Sequence, residues 1–233
     1  MRGEIFVGWL RIEYIRGERL KYISHLDLIR VFERAARRGK IPIGFSEGYN
    51  PRAKMVFGLP LSVGVIANKD YGDFEIDGEI NVSDIMKAFN KELPEDLQIT
   101  DAKERKSKLN IMAVIKRAEY IIELTKPCQD LAADVEKFLS MNEVIVVKEK
   151  DGKKRKQDIR PFVYKLEAQG DQKLFAQVCA GNEKNLRPDI LIKGLSKVSD
   201  KQYMPDKIYR LGLFTEVDNK IVTPLDDIIN AIS

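Results

Sequence analysis

The chain has 233 residues, 44% of them apolar and 33% charged, with a formal net charge of +4. That is the balance of an ordinary globular protein, long enough for one or two domains with cores of their own. No run of roughly 18 apolar residues exists, which excludes a transmembrane helix, and two cysteines with one histidine exclude an iron–sulfur cluster or a structural zinc site held by this chain alone.

Trp9 to Ile15, "WLRIEYI", alternates and predicts a strand. "RGERLKY" reads as a polar turn. Ser24 to Arg38 predicts a helix, with Leu28, Ile29, Val31, Phe32, Ala35 and Ala36 on one side and Gly39 as its stop. "IPIGF" predicts a short strand, "SEGYNPRAK" a loop, "MVFGLPLSVGV" a bent strand and "YGDFEID" an alternating one. Val82 to Leu93 reads as a helix and "LQITDAKERK" as a strand. The order then restarts. "RAEYIIELT" predicts a strand and Gln129 to Leu139 an amphipathic helix. "EVIVVKEK", an Asp151-Gly152 turn and "KKRKQDIRPFVYKLEAQ" predict a hairpin or strand pair. "KLFAQVCA" reads as a strand, "RPDILIKGL" as a short helix with Pro188 near its start, and "IYRLGLF" as a last strand.

With one short strand to spare in each half, the order is roughly β-α-β-β-α-β, which resembles the split βαβ or ferredoxin-like unit with an antiparallel sheet. The expected fold is α+β with two such units in tandem, residues 1–110 and 111–233. One continuous α+β domain is the alternative.

Several function classes drop out on motif grounds. There is no GxxxxGK[ST] loop, no GxGxxG turn and no C-x-x-C pair, since Cys128 and Cys179 stand far apart. The leading "MRGEIFVGWLRIEY" carries Glu4, Arg11 and Glu13 where an export signal needs an apolar core. A cytoplasmic protein with reduced thiols and no cofactor in this chain is expected.

Charge is placed unevenly. Roughly ten basic and four acidic residues lie between Arg16 and Lys54, and about eleven acidic and three basic between Asp70 and Glu104. On the first helix Arg30, Arg34, Arg37 and Arg38 share the face opposite the apolar stripe, with Lys40, Arg52 and Lys54 just beyond. Guanidinium groups repeated at one turn suit phosphates spaced along a nucleic-acid strand. Tyr49 and Asn50, on a loop shaped by Gly48 and Pro51, add candidate base contacts, and Phe45 a further stacking surface. Arg160, just before a proline, is either a salt-bridge partner or an anion contact. Lys153 to Lys156 read as a solvated hairpin tip, with a nucleic-acid role as the minority view. Ser24 and Asp27 read as a helix cap and a first-turn acid. His25, the only histidine, is either a half-buried core-edge residue or a general base. Ser24, His25 and Asp27 do not form a catalytic triad, because i, i+1 and i+3 on one helix cannot align.

The segment "RLKYISHLDLIRVFERAARRGKIPIGFSEGYNPRAKMVFGLPLSVGV", Arg19 to Val65, resembles the hallmark segment of the DUF2344 family, the radical-SAM-linked proteins. "DIRPFV" and "LRPDIL" resemble its second-half pattern. The resemblance implies a separate radical SAM protein as partner, which carries the cluster that this chain lacks. Family neighbourhoods with ribosomal-protein and ribonuclease genes imply RNA. A weaker, fold-level similarity is to the CRISPR repeat-processing endoribonucleases, which cut RNA without metal through a histidine-type base.

Three functions are thus expected. The first is an RNA-binding accessory subunit serving a radical SAM enzyme that modifies tRNA or rRNA. The second is a metal-independent endoribonuclease with His25 as base and Lys54 or Arg52 steadying the phosphorane. The third is a protein-docking domain that offers its acidic span to the radical SAM partner.

Overall fold

A computed structural model describes residues 7–150, 153–182 and 184–230. The expected Asp151-Gly152 turn and Glu4 lie outside them. The chain divides into two compact units, Met1–Lys116 with Gly212–Ser233, and Arg117–Leu211. Among the described residues no helix is long and apolar enough to cross a membrane.

Unit one begins with β1 (Val7–Arg16), followed by α1 (His25–Arg38), β2 (Met55–Phe57), β3 (Val65–Asp77), α2 (Val82–Glu92) and β4 (Ile99–Glu104). Its sheet order is β4-β1-β3-β2, and each neighbouring pair is antiparallel. This is the split βαβ unit expected from the alternation. Leu10, Ile12 and Tyr14 of β1 and Phe74 and Ile76 of β3 form one core with Leu28 and Phe32 of α1 and Phe89 of α2. Five aromatic rings pack within it, the tightest pair being Phe32 and Phe57 at 5.2 Å between centroids. Alternation sends the other residues of β1 and β3 to the opposite face. There Arg11, Glu13, Asp73 and Glu75 are buried too.

A short helix, α3 (Ile111–Val114), follows β4 and leads into unit two. That unit holds β5 (Arg117–Leu124), α4 (Leu131–Ser140), β6 (Ile145–Lys150), β7 (Lys153–Asp158), β8 (Val163–Gln169), β9 (Lys173–Cys179) and α5 (Pro188–Ser199). With the start of β10 (Pro205–Val217) its order is β10-β5-β9-β8. Read along the chain without β6 and β7, this is the same β-α-β-β-α-β unit again. β6 and β7 form a two-stranded sheet of their own, inserted between the first helix and the second strand.

The structure departs from the sequence reading in definite places. "IPIGF" is no strand: Pro42 offers no N–H, and only Ile43 and Phe45 make single bridges, to Ile76 and Ala53. "MVFGLPLSVGV" keeps strand geometry for Met55–Phe57 alone, and Gly64, at φ +88°, turns the chain into β3. The C-terminal residues from Gly212, with β11 (Lys220–Val222) and α6 (Asp227–Asn230), belong to unit one. A division at residue 110/111 does not capture that return, because strand partners far apart in sequence leave no local pattern.

Candidate nucleic-acid interface

The approach to α1 is fixed by an arginine. Arg16, buried at the end of β1, donates to the carbonyls of Leu20 (3.1 Å), Lys21 (3.2 Å) and Ile23 (2.8 Å). Ser24 then caps the helix: its hydroxyl accepts from the Asp27 N–H at 3.1 Å and donates to the Asp27 carboxylate at 2.7 Å. That second bond, reinforced by Arg30, holds the Asp27 carboxyl below its ordinary value despite some desolvation. At the other end the Gly39 N–H reaches the Ala35 carbonyl at 2.8 Å. Gly39 keeps a right-handed φ of −75°; a Cβ there would stand 3.2 Å from two backbone carbonyls, a tight approach that favours glycine. Lys40 instead takes the left-handed conformation, φ +52°.

This frame leaves the four arginines of α1 exposed on one face, but they are not equivalent. Arg30 pairs with Asp27 at 3.1 Å. Arg38 reaches the Glu92 carboxylate at 2.8 Å and the Glu92 carbonyl at 2.6 Å, tying α1 to the end of α2. Arg34 and Arg37 have no ion pair among the described residues. Surface pairs of this kind contribute about 0–1 kcal/mol each, so Arg30 and Arg38 can exchange their partners for a phosphate at small cost. Arg34 and Arg37 need no exchange.

The loop after α1 is closed at its neck. The Ser46 N–H donates to the Arg52 carbonyl at 2.8 Å, and the Arg52 N–H to the Ser46 hydroxyl at 3.0 Å. Gly48, at φ +122°, makes the turn at the tip. The result is a small loop that holds Tyr49 100% exposed, with Asn50 and Arg52 also at the surface. Lys54 is different. Its ammonium sits 2.6 Å from the buried Glu75, which raises its pKa above the ordinary lysine value and balances its charge within the protein.

His25 is half-buried at the start of α1, its ring edge-on to Phe57 at 5.9 Å. Among the described residues it makes no side-chain hydrogen bond, so no group orients the imidazole as a base. Arg160 lies in unit two. Its guanidinium donates to the Leu139 carbonyl (3.0 and 3.3 Å) and the Val163 carbonyl (3.1 Å), fastening the end of α4 to the start of β8. Backbone carbonyls thus take three of its five N–H donors, and it makes no ion pair with Asp158 among the described residues. The acidic span also reads differently in three dimensions: Asp70, Asp73 and Glu75 are buried in β3.

Two polar clusters went unmarked in the sequence. In unit one Asp73 is fully buried and accepts from Arg11 (2.7 and 3.0 Å), Arg105 (2.9 Å) and the Ile111 N–H (2.7 Å). Trp9 covers Arg105, 4.4 Å from its ring. In unit two Asp134 accepts from Lys201 at 2.7 Å and from the Tyr203 hydroxyl, which in turn lies 3.3 Å from the Cys128 sulfur. Burial opposes ionisation of Asp134, but those two donors outweigh it and hold its pKa low. A cavity of about 350 Å³, lined in part by Cys128, Lys201 and Tyr203, adjoins this cluster. Both clusters tie together segments distant in sequence. Strand alternation in "WLRIEYI" and "YGDFEID" is the one signal that could have paired Arg11 with Asp73. Among the described residues no three His, Cys, Asp or Glu side chains are grouped to hold a metal ion.

The model of the DUF2344 family, described as an uncharacterized protein conserved in bacteria, matches residues 9–188. No curated protein matches the chain. Among solved structures, a chain in the crystal structure of a Cbf5-Nop10-Gar1 complex is similar at 12% identity with a TM-score of 0.49, over 88% of this chain and 48% of that one. The protein thus spans about half the length of that neighbour.

Proposed function

Because the chain belongs to the DUF2344 family, which names no activity, and four exposed arginines lie on one helix face, we propose that unit one is an RNA-binding surface. The protein acts in this reading as an accessory subunit that presents tRNA or rRNA to a separate radical SAM protein in the cytoplasm. The observation that carries it is the pair Arg34 and Arg37, about one turn apart, exposed and without an ion-pair partner among the described residues. Arg30, Arg38 and Arg52 extend the cationic face, and Tyr49 offers a ring to an unstacked base. The radical SAM partner comes from the resemblance of Arg19 to Val65 alone. The endoribonuclease reading lacks the oriented base it needs at His25, and the docking reading loses three carboxylates to the interior of β3.

The test is RNA binding by the purified protein across salt in EDTA. Affinity should fall steeply from 50 to 200 mM salt, as expected when several phosphates are neutralised, and the RNA should stay intact. Arg34→Glu/Arg37→Glu should abolish binding with the thermal midpoint unchanged. Undiminished affinity in that double variant sinks the proposal. Retention of a co-expressed radical SAM protein after nuclease treatment tests the partnership.

A further inference from the structure

The ribbon β6–β7 is an addition to the βαββαβ order of unit two, and it pairs with no other strand among the described residues. A two-stranded hairpin is marginal by itself, and in this one like-signed rungs outnumber the opposite-signed one. The register sets Arg155 across from Lys148 and Lys153 across from Lys150, two positions of like sign, and Lys154 across from Glu149, one of opposite sign. Like charges directly opposite each other destabilise a ladder. Four basic residues in succession, Lys153–Lys156, make up most of β7.

The acid at the foot of the ribbon does not relieve this charge. The Asp158 carboxylate accepts from the Val144 N–H at 2.8 Å and the Arg160 N–H at 3.0 Å, so it serves the anchorage. Lys197 adds a bond from its ammonium to the Ile145 carbonyl at 2.8 Å. The base is therefore fastened while the strands above it stay cationic. Lys154, Arg155 and Lys156 are exposed and have no ion pair among the described residues.

We propose that the β6–β7 ribbon is a second RNA contact, one that grips the sugar–phosphate backbone and reads no bases. Residues 145–158 contain no aromatic side chain, so nothing in the ribbon can stack on a base. What it offers is positive charge on an extended ladder, and a polyanion relieves the like-signed rungs. Contacts of this class set affinity and salt dependence without sequence preference. The choice of RNA as the polyanion rests on the function proposed above.

The experiment uses the full chain and total tRNA. In Lys154→Gln/Arg155→Gln/Lys156→Gln, the slope of log affinity against log salt should shrink by about 2, the loss of three phosphate contacts. Affinity at 50 mM salt should fall at least tenfold. Lys154→Arg/Lys156→Arg should keep both, and the thermal midpoint should hold in each. An unchanged slope and affinity in the triple variant, with binding still lost in Arg34→Glu/Arg37→Glu, overturns the ribbon contact alone. Binding lost in the triple variant and kept in the double one upholds the ribbon and overturns the helix surface. No RNA binding by the unaltered protein overturns both. Loss of poly-glutamate binding with RNA affinity unchanged would assign the ribbon to an acidic protein partner and overturn the proposal.

Discussion

Both units place their largest irregular feature in the same slot of the βαββαβ order, between the first helix and the second strand. In unit one the slot holds the neck-closed loop with Tyr49 at its tip; in unit two it holds the β6–β7 ribbon. Both are basic at the surface, yet their chemistry differs. The loop sets Arg52, which has no ion pair among the described residues, beside an exposed ring, so it can meet a base and a phosphate together. The ribbon has charge without rings. The loop is closed by its own Ser46–Arg52 bonds, whereas the ribbon is bracketed by Arg160, which donates to the carbonyls of Leu139 and Val163. Arg16 makes bonds of the same kind at the other end of the first helix, before α1.

The frame beneath the two slots is where the units differ most in expected stability. Asp73 balances two arginines, fully buried; Asp134 balances a lysine whose side chain is 36% exposed. Removing one partner of a buried pair leaves an uncompensated charge that costs about 3–5 kcal/mol. Asp73→Ala should therefore destabilise unit one by about that amount in denaturant unfolding. Asp134→Ala should cost less, since water reaches Lys201. Equal losses would mean that the buried Arg11–Asp73–Arg105 set is no more than a surface network in effect.

The anchors rank next. Arg16→Ala removes three charge-assisted bonds at a buried site, a loss of about 3 kcal/mol. Arg160→Ala, at a half-buried one, should cost roughly 2 kcal/mol or less. Hydrogen exchange should show the difference locally: faster exchange at Ile23 to Leu28 in the first variant, and at the foot of the ribbon in the second. Global destabilisation without these local changes would deny both arginines their anchoring part.

These anchors show which parts of the protein were legible in its sequence. The apolar stripe of α1, its Ser24 cap and the alternation of β1 are local patterns, and such patterns marked the main helices and strands while missing that "IPIGF" is no strand and that the C-terminal residues return to unit one. Arg16 and Arg160 were not legible in the same way. An arginine that bonds carbonyls has no charged partner to betray it, and Arg160 beside Pro161 read as a salt-bridge partner or an anion contact. Lys54 looked free because Glu75 lies 21 positions away. Exposure of Arg34 and Arg37 followed from the helical wheel, but their lack of a partner, against the paired Arg30 and Arg38, needed the third dimension.

Tyr49 gives a sharper division between the slots. Base stacking on an aromatic ring contributes about 1–3 kcal/mol. Tyr49→Ala should weaken binding of single-stranded RNA about tenfold and leave the salt slope as it was. Removing charge from the ribbon should do the reverse, changing the slope. A Tyr49 variant whose slope falls would show that the loop acts through phosphate after all, and the contrast between loop and ribbon would collapse.

The smallest effect concerns how each first helix starts. α1 is capped by Ser24, whereas Asp130 makes no side-chain capping bond to α4. Loss of a serine cap costs about 1 kcal/mol near neutral pH. Part of that figure depends on pH, because the Ser24 hydroxyl also donates to the Asp27 carboxylate. A carboxylate held below its unfolded value, about 3.9 for aspartate, stabilises the fold above that value. Its contribution disappears as pH falls through the folded value. Asp27 and Asp134 both follow this sign, Asp27 through Ser24 and Arg30, Asp134 through Lys201 and Tyr203 against its burial. The stability gap between the unaltered protein and Ser24→Ala should therefore narrow as pH drops from 5 toward 3, and Asp134→Asn should leave that narrowing in place. A gap that stays constant would mean that Ser24 acts only through the Asp27 N–H, as a neutral cap, and that the carboxylate next to it contributes nothing to the start of α1.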